Sequence, residues 1–276
     1  MSFFVSLSGM RNAETDLRVI AHNIANAETV GFKKSNTQFS DLVAKGASVD
    51  PRRTPGLGAT VVAITQDFAL GPLEQTGRTL DLAIDGDGFF ALANPVSGDI
   101  AFSRNGNFRL TASGAIEDAW GNRLQAYPVD SAGNPTSTTP ADVSVPLLSP
   151  VPVGPTPGTL SNVSIDARGT IIAAYSDGTT APVGQVALAI FGAPAGLRAI
   201  GQTKWQASGE SGPPTFGNPG VGNFGGMISG ALERSNVELA EELVALLTAQ
   251  RNFQANARAI DTATVITQTA INLRQQ

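Results

Sequence analysis

Few residues in this sequence carry side chains that could perform covalent or metal chemistry. The chain has no cysteine, which excludes disulfides, thiolate nucleophiles and cysteine-based metal sites. Its single histidine, His22, lies between Ile20 and Ile24 in an apolar periodic segment. No serine with a third orienting residue can be placed beside this histidine, so a catalytic triad is not indicated. We therefore predict that the protein is not an enzyme.

Two loop motifs match the spacing of ligand-binding sequences but lack the context that those sites need. Residues 220–225 have the G-x-G-x-x-G spacing, yet they follow the breakers of residues 212–214 rather than a strand, and no helix opens on them. Residues 85–88 supply two carboxylates, but the third acidic ligand and the closing glutamate of a calcium loop are missing. Both motifs are interpreted as turns, so neither a cofactor nor a metal is predicted.

The charge balance does not favour a nucleic-acid or membrane partner. The formal net charge is -5 at pH 7, and no run of Lys or Arg exceeds two residues. The longest uncharged stretches cannot form a spanning helix, because residues 143–165 contain five prolines and residues 178–197 are broken by proline and glycine. The N-terminal residues do not have the pattern of a Sec-type signal. We expect neither nucleic-acid binding nor membrane insertion.

The two ends of the chain are helix-permissive, whereas the middle is not. Every proline lies between Pro51 and Pro219. Near the N-terminus, apolar residues recur at spacings of three, four or seven and predict a helix that stops at Gly31. The residues of this pattern are Phe3, Met10, Ala13, Leu17, Ile20, Ile24 and Ala27.

The C-terminal segment predicts a second and longer helix. Ser235 and Glu238 have the spacing of a capping box at its start. A three-four alternation then continues almost to the end of the chain, through Leu239, Leu243, Leu246, Gln250, Phe253, Ala257, Ile260, Thr264, Thr267 and Ile271. Only four residues after Leu243 are charged, which indicates a helix surrounded by neighbours. The two terminal helices are expected to pair, either as an ordinary intramolecular hairpin or within a self-assembling polymer, which the low charge favours.

The middle of the chain has the pattern of an antiparallel β structure. Short apolar or alternating runs are bounded by Gly, Asn and Asp, at residues 60–65, 80–84, 89–93, 101–104, 107–110, 170–175 and 185–191. The fold class is therefore predicted as α+β, with paired, coiled-coil-like terminal helices and a central antiparallel all-β domain.

The same patterns predict the domain organisation. We expect a helical assembly domain at residues 1–32 and 233–276, and a linker at residues 33–58. The central β domain is expected at residues 59–232, with a proline-rich crossover at residues 128–158.

Seven segments at both ends and in the middle of the chain carry a resemblance to a known family. The terminal segments SLSGM, HNIANAETVGFK and AQRNFQANARAI, at residues 6–10, 22–33 and 249–260, resemble bacterial flagellar axial proteins of the rod and hook group. The segments ITQDF, TGRTLDLAIDGDGFF, FSRNGNF and SGALERSNVELAEELV resemble the hook members in particular. Many hook proteins insert a large outer β domain after the stretch corresponding to residues 125–128, whereas this chain has only the proline-rich crossover. It thus resembles a short hook protein, and its length is also similar to that of the distal rod protein.

The resemblance implies an exported structural subunit. It implies a curved tubular polymer in which terminal helices form an inner layer and the β domain an outer layer, transmitting motor torque to the filament. It further implies export by the flagellar type III apparatus, an extracellular position in the hook and basal body, and contacts with rod proteins, hook-filament junction proteins and a hook cap. A remote alternative is a secreted β-rich adhesin or binding module, which would be a stable monomer. The expected assembly residues are Leu17, Ile20, Asn23, Ile24, Asn26, Gly31, Phe32, Leu243, Leu246, Gln250, Phe253, Ile260 and Ile271.

Overall fold

The computed structural model describes residues 2–43, 56–150 and 157–274. The chain forms two compact units, and each unit is built from separated stretches of sequence. The first, called the helical unit here, contains Met1–Ala27, Lys34–Asp67 and Val237–Gln276. The second, called the β body, contains Glu28–Lys33 and Phe68–Asn236. The predicted α+β class is confirmed, with long helices at both ends and antiparallel strands between them.

Two antiparallel helices dominate the helical unit. Helix α1 spans Ser2–Ala25 and helix α2 spans Leu239–Arg274. Their direction follows from two contacts: the Asn23 side chain bonds to Glu242, while a Cβ at Gly9 would lie 2.5 Å from the Asn256 amide oxygen. Glycine therefore permits a close helix approach at this point.

One end of each helix differs from the end that the sequence pattern predicts. Helix α1 ends before Gly31 because its last turn tightens: the Asn26 N–H is shared between the His22 and Asn23 carbonyls at 3.2 and 3.0 Å. Gly31 has a left-handed φ of +68°, but it lies beyond the end of α1, so the prediction that the helix stops at Gly31 is wrong.

Helix α2 begins at Leu239 rather than at the predicted capping box. The residues before it belong to the β body, where the Arg234 N–H donates to the Pro72 carbonyl at 2.9 Å. The Asn236 amide likewise donates to the Ala69 carbonyl at 3.3 Å. These bonds hold the segment extended, so it cannot begin the helix.

A two-stranded ribbon completes the helical unit. Strand β1 (Ser35–Val43) pairs antiparallel with strand β2 (Gly56–Gln66), with a register shift between Gln38 and Phe39. Regular structure therefore extends into the stretch that the sequence predicts as a linker, because β1 pairs along its whole length. Residues 44–55 of that stretch lie outside the described residues.

The β body contains the remaining strands, and every pairing is antiparallel. These strands are β3 (Leu73–Gln75), β4 (Leu82–Asp85), β5 (Phe89–Ala93), β6 (Ile100–Ser103), β7 (Arg109–Leu110), β8 (Ile116–Glu117), β9 (Arg123–Pro128), β10 (Ala141–Asp142), β11 (Leu160–Ile165), β12 (Thr170–Tyr175), β13 (Thr180–Val186), β14 (Leu188–Ile190), β15 (Arg198–Gly201), β16 (Lys204–Gln206), β17 (Thr215–Gly217), β18 (Gly226–Ser229) and β19 (Ala231–Glu233). The longest path of neighbouring strands runs β11-β12-β13-β9-β5-β6-β16-β15. The C-terminal strands β18 and β19 pair with β4 and β3, respectively.

Adjacent phenylalanines on β5 point to opposite faces of the sheet and into separate apolar clusters. Phe90 belongs to the larger cluster and meets Phe108 edge-to-face at a centroid distance of 5.3 Å. Phe89 belongs to an aromatic cluster with Phe191 and Trp205, both at 5.8 Å. Such alternation is what a strand buried on both faces requires.

One turn geometry recurs in the β body, and the sequence analysis missed it. In each turn an Asp side chain accepts the N–H groups two and four residues later, and a glycine three residues later adopts a left-handed φ. The capping residues are Asp118, Asp130 and Asp166, followed by Gly121, Gly133 and Gly169. Because these turns occur at irregular intervals, no fixed period marks them in the sequence.

The β15–β16 hairpin offers a stabilising substitution. Its two turn residues, Gln202 and Thr203, have φ values of 58° and 53°, which β-branched threonine adopts at a cost. Replacing the pair by Asn-Gly is expected to raise the free energy of unfolding of the β body by about 1 kcal/mol, because this dipeptide prefers such turns. Urea unfolding followed by tryptophan fluorescence measures the change, and an unchanged or lower midpoint would contradict the expectation.

Candidate assembly site

The buried stripe of helix α2 contains four of the ten positions of the predicted seam. Leu246, Phe253, Ala257 and Ile260 are half-buried as predicted, whereas Leu243 and Gln250 are exposed. The positions one residue before these two, Glu242 and Ala249, are buried instead. The apolar pattern predicted Leu243 as a buried position. The buried residue is its neighbour Glu242, whose burial depends on polar partners described below.

A second apolar stripe of α2 faces away from the buried one. Leu243, Val244 and Leu247 have exposed fractions of 51%, 65% and 55%. Ile271 is also exposed, because α2 continues past the residues that pair with the start of α1. Large apolar side chains grouped on one helix face in this way mark an interaction surface.

The remaining predicted residues are divided between the two units. In α1, Ile20 and Asn23 are buried, and Leu17 and Ile24 are half-buried. The Asn26 side chain donates to the His22 carbonyl at 2.9 Å.

Two predicted residues, Gly31 and Phe32, are buried within the β body. The structure thus places eleven of the thirteen expected residues in the helical unit and these two in the β body.

Asn23 connects α1, β1 and α2 through its side-chain amide. Its Nδ2 donates to the Ser35 carbonyl at 2.9 Å and to Glu242 Oε2 at 3.2 Å, while its Oδ1 accepts the Ser35 N–H at 3.0 Å. The amide therefore pairs with Ser35 as a neighbouring strand would. Asn23 is buried, whereas the preceding residue, His22, is exposed.

Lys34 completes this polar cluster of the helical unit. Its Nζ lies 2.9 Å from Glu242 Oε1 and 3.6 Å from Glu241 Oε2. The hydrogen bond to Glu242 raises the pKa of Lys34 above its ordinary value of 10.5, against a lowering by partial burial. Because the pKa is higher in the folded state, this interaction stabilises the unit below pH 10.5 and is lost as the pH rises through the raised value.

A Lys34→Met variant tests this pH dependence. The wild type is expected to be more stable than the variant at pH 8, and the difference should shrink above pH 10.5, where Lys34 of the unfolded chain loses its proton while the folded chain still holds it. Unfolding at pH 8 and above pH 10.5, followed by far-ultraviolet circular dichroism, measures this stability difference, because both helices belong to the helical unit. A difference that stays constant up to about pH 11.5 would contradict the expectation.

The β body contains a second buried ionic cluster, which the sequence analysis did not predict. Lys33 Nζ lies 2.5 Å from Glu233 Oε1, and both side chains are fully buried. Arg104 Nη1 lies 3.4 Å from Glu233 Oε2, and the Gly71 N–H donates to Oε1 at 3.0 Å. Burial lowers the pKa of Arg104, and the charge of Glu233 opposes that effect. The doubled lysine after an apolar stretch was the one available signal in the sequence.

The described residues provide neither a metal-binding cluster nor a helix that could cross a membrane. No group of three or more His, Asp or Glu side chains within them could hold a metal ion. Neither described helix combines the length and apolar character needed to cross a membrane.

Three family descriptions match successive parts of the chain, from the N-terminal to the C-terminal end. Residues 4–33 match "Flagella basal body rod protein", residues 83–173 match "Flagellar hook protein FlgE/F/G D1 domain", and residues 228–273 match "Flagellar basal body rod FlgEFG protein C-terminal". The first and third contain most of the two helices, and the second lies in the β body.

Curated relatives match over the whole chain. The flagellar basal-body rod protein FlgG of Bacillus subtilis is 35% identical over 286 residues, covering 99% of both chains. The flagellar hook protein FlgE of Escherichia coli is 28% identical over 410 aligned positions, covering 99% of this chain and 100% of the relative. The protein therefore belongs to the FlgE/F/G family of flagellar rod and hook proteins. The hook relative has a long stretch that this 276-residue chain lacks, as expected for a short form.

Proposed function

We propose that the protein is a structural subunit of the flagellar hook that polymerises with copies of itself into a curved tube. The observation that carries this proposal is the exposed apolar stripe of α2 at Leu243, Val244 and Leu247. A single chain leaves this stripe in water, and close contact with neighbouring copies would remove it from water.

The proposed assembly residues divide into two roles. Leu243, Gln250 and Ile271 are exposed and would contact other subunits. The half-buried and buried members hold the helical unit together, namely Leu17, Ile20, Asn23, Ile24, Asn26, Leu246, Phe253 and Ile260. Gly31 and Phe32 would fix the chain where it enters the β body.

The distal rod is the second candidate. It is supported by the 35% identity to a rod protein of nearly equal length. The hook is supported by the resemblance of ITQDF and SGALERSNVELAEELV to hook proteins. In either position we propose a non-enzymatic role, export by the flagellar type III apparatus, and contacts with adjoining axial proteins. For the hook these would be rod proteins, hook-filament junction proteins and the hook cap.

Electron microscopy of basal bodies from cells lacking the gene distinguishes the candidates. A complete rod without a hook supports the hook, whereas a truncated rod supports the rod. Full-length flagella in a strain without a second copy of the gene would refute both. Size-exclusion chromatography and limited proteolysis of the purified chain test the adhesin alternative, which requires a stable monomer at every concentration.

A further inference from the structure

Two motifs that the sequence analysis interpreted as turns meet at one cavity of the β body. Residues 85–88 and 220–225 are joined by the Gly225 N–H, which donates to the Asp87 carbonyl at 2.7 Å. Both turns contribute to the lining of a cavity of about 350 Å³, through Asp87 and Asn223. This volume lies at the lower end of the range that small-ligand sites occupy.

Aromatic side chains form the apolar part of this cavity. Phe68, Phe89 and Phe191 line it. Phe89 meets Phe68 and Phe191 edge-to-face, at centroid distances of 5.3 and 5.8 Å, so the rings hold one another in place. Phe68 and Phe89 also pack on Trp205, at 5.4 and 5.8 Å. The cavity is therefore bounded by a packed aromatic cluster that an apolar group could contact.

A buried arginine supplies the polar part of the cavity. Arg104 also lines it, and only 3% of this residue is exposed. Its Nη1 lies 3.4 Å from Glu233 Oε2, and its guanidinium carbon lies 5.2 Å from the centre of the Phe89 ring. Its Nε is buried and has no hydrogen-bond acceptor among the described residues. A buried donor without an acceptor is unfavourable, so a ligand that supplied one would be stabilised here.

We propose that this cavity binds an apolar carboxylate, whose charged group pairs with Arg104 and whose apolar part packs against the phenylalanines. Arginine binds a carboxylate through two parallel hydrogen bonds from one edge of its guanidinium, such as the edge that carries Nε and Nη2. Nη1, which meets Glu233, is not part of that edge. The lining belongs to the β body, and the inference does not depend on the polymer proposed above.

Asp87 carries a charge that opposes such a ligand. Its side chain lines the cavity and is exposed. Burial lowers the pKa of Arg104, while the charges of Glu233 and Asp87 oppose that lowering. Removing the Asp87 charge should tighten the binding of a carboxylate, because like charges repel. If Asp87 instead turned toward Arg104 and supplied the missing acceptor itself, Asp87→Asn would destabilise the β body and no carboxylate would bind.

Titration of the full-length chain with 3-phenylpropionate tests the proposal. In a Trp120→Phe background the fluorescence reports Trp205, which packs on two phenylalanines of the cavity. We expect a saturable change with a Kd of about 1 mM, as suits so small a ligand. The neutral amide of the same acid should bind roughly ten-fold more weakly, because it cannot form a charge-assisted pair. The absence of a saturable change up to about 20 mM, or equal binding of acid and amide, would overturn the proposal.

Two exposed carboxylates provide a variant and its matched control. Asp87→Asn should tighten the binding of 3-phenylpropionate by roughly three-fold. Asp99→Asn removes the same charge from an exposed position outside the cavity lining and should leave binding unchanged. Unchanged or weaker binding in Asp87→Asn, or an equal gain in Asp99→Asn, would contradict the proposal.

Arg104→Gln examines the arginine directly and should abolish saturable binding of the acid. Binding that persists in the folded variant would overturn the proposal. Because this variant also loses the contact with Glu233, the comparison of acid with amide and the Asp87→Asn variant decide the matter if it does not fold.

A peptide probe distinguishes two sources of the same ligand chemistry. N-acetylglycylphenylalanine carries the aromatic group and the carboxylate at a peptide end. Tighter binding of this probe than of 3-phenylpropionate would identify the ligand as the C-terminal residue of a polypeptide. A peptide end that binds no better than the simple acid would identify a small molecule, and failure of both probes to bind would refute the site.

Discussion

The double variant Leu243→Glu/Leu247→Lys is expected to fold as the wild type does and to fail to polymerise. Both leucines are about half exposed in the single chain, at 51% and 55%. If the exposed half of each is buried between subunits, each contributes about 0.8–1.5 kcal/mol to assembly, and a charge placed there adds the cost of burying it. Replacing both by charges should raise the protein concentration needed for polymerisation by roughly 100-fold or more.

The substitutions are chosen so that the helix itself is not weakened. Glutamate and lysine have helix propensities close to that of leucine, and a Glu-Lys pair four residues apart adds slight support. Circular dichroism and thermal unfolding of the purified variant should match the wild type. Complementation of the deletion strain, followed by electron microscopy of its basal bodies, measures assembly.

Val96→Glu serves as the matched control for this experiment. Val96 is 94% exposed in the β body, so the substitution adds a charge to an exposed apolar position away from α2. We expect this variant to assemble normally. Normal assembly of the double variant would show that the α2 stripe is not a subunit contact, and would remove the main support for the proposed function.

Gly31→Ala is expected to destabilise the β body by about 2–5 kcal/mol. A left-handed conformation costs alanine about 1–2 kcal/mol, and Gly31 has a φ of +68°. In addition, a Cβ at this position would lie 2.5 Å from the Asn105 backbone nitrogen and 2.7 Å from the Arg104 carbonyl carbon. Because those atoms belong to the backbone, the surrounding chain must shift.

Gly98→Ala isolates the conformational part of this cost. Gly98 has nearly the same φ, +74°, but nothing lies within 4 Å of the position that a Cβ would occupy there. Urea unfolding followed by tryptophan fluorescence suits both variants, because the chain's two tryptophans, Trp120 and Trp205, lie in the β body. Equal losses in the two variants would show that the close approach at Gly31 has no energetic effect.

Secondary structure followed from the sequence where local pattern and burial agree. Strands β5 and β12 have the bounds that their apolar runs predict. The helices were also predicted, because proline is confined to the middle of the chain and glycine is rare near both ends. Helix ends were predicted less well. The end of α1 and the start of α2 are set by hydrogen bonds that the periodic apolar pattern does not contain.

The candidate site was predicted only in part for a related reason. Period-based reasoning assigns buried positions to apolar residues, whereas Glu242 is buried through Asn23 and Lys34. The same limitation concealed Lys33 and Glu233, whose burial depends on a partner 200 residues away. No local pattern in one sequence contains that information.

One of the Asp-capped turns, the one at Asp130, gives a part of the β body a response to acid. The Asp130 carboxylate accepts the Ala132 and Asn134 N–H groups at 2.9 Å each. These bonds, with that from Asn134 the stronger influence, hold the pKa of Asp130 below its ordinary value of 3.8. A carboxyl of lowered pKa stabilises the folded turn above pH 3.8, and this contribution disappears as the pH falls through the lowered value. Hydrogen bonds between backbone groups do not titrate, so acid removes only the stabilisation that the Asp130 carboxylate gives to this turn.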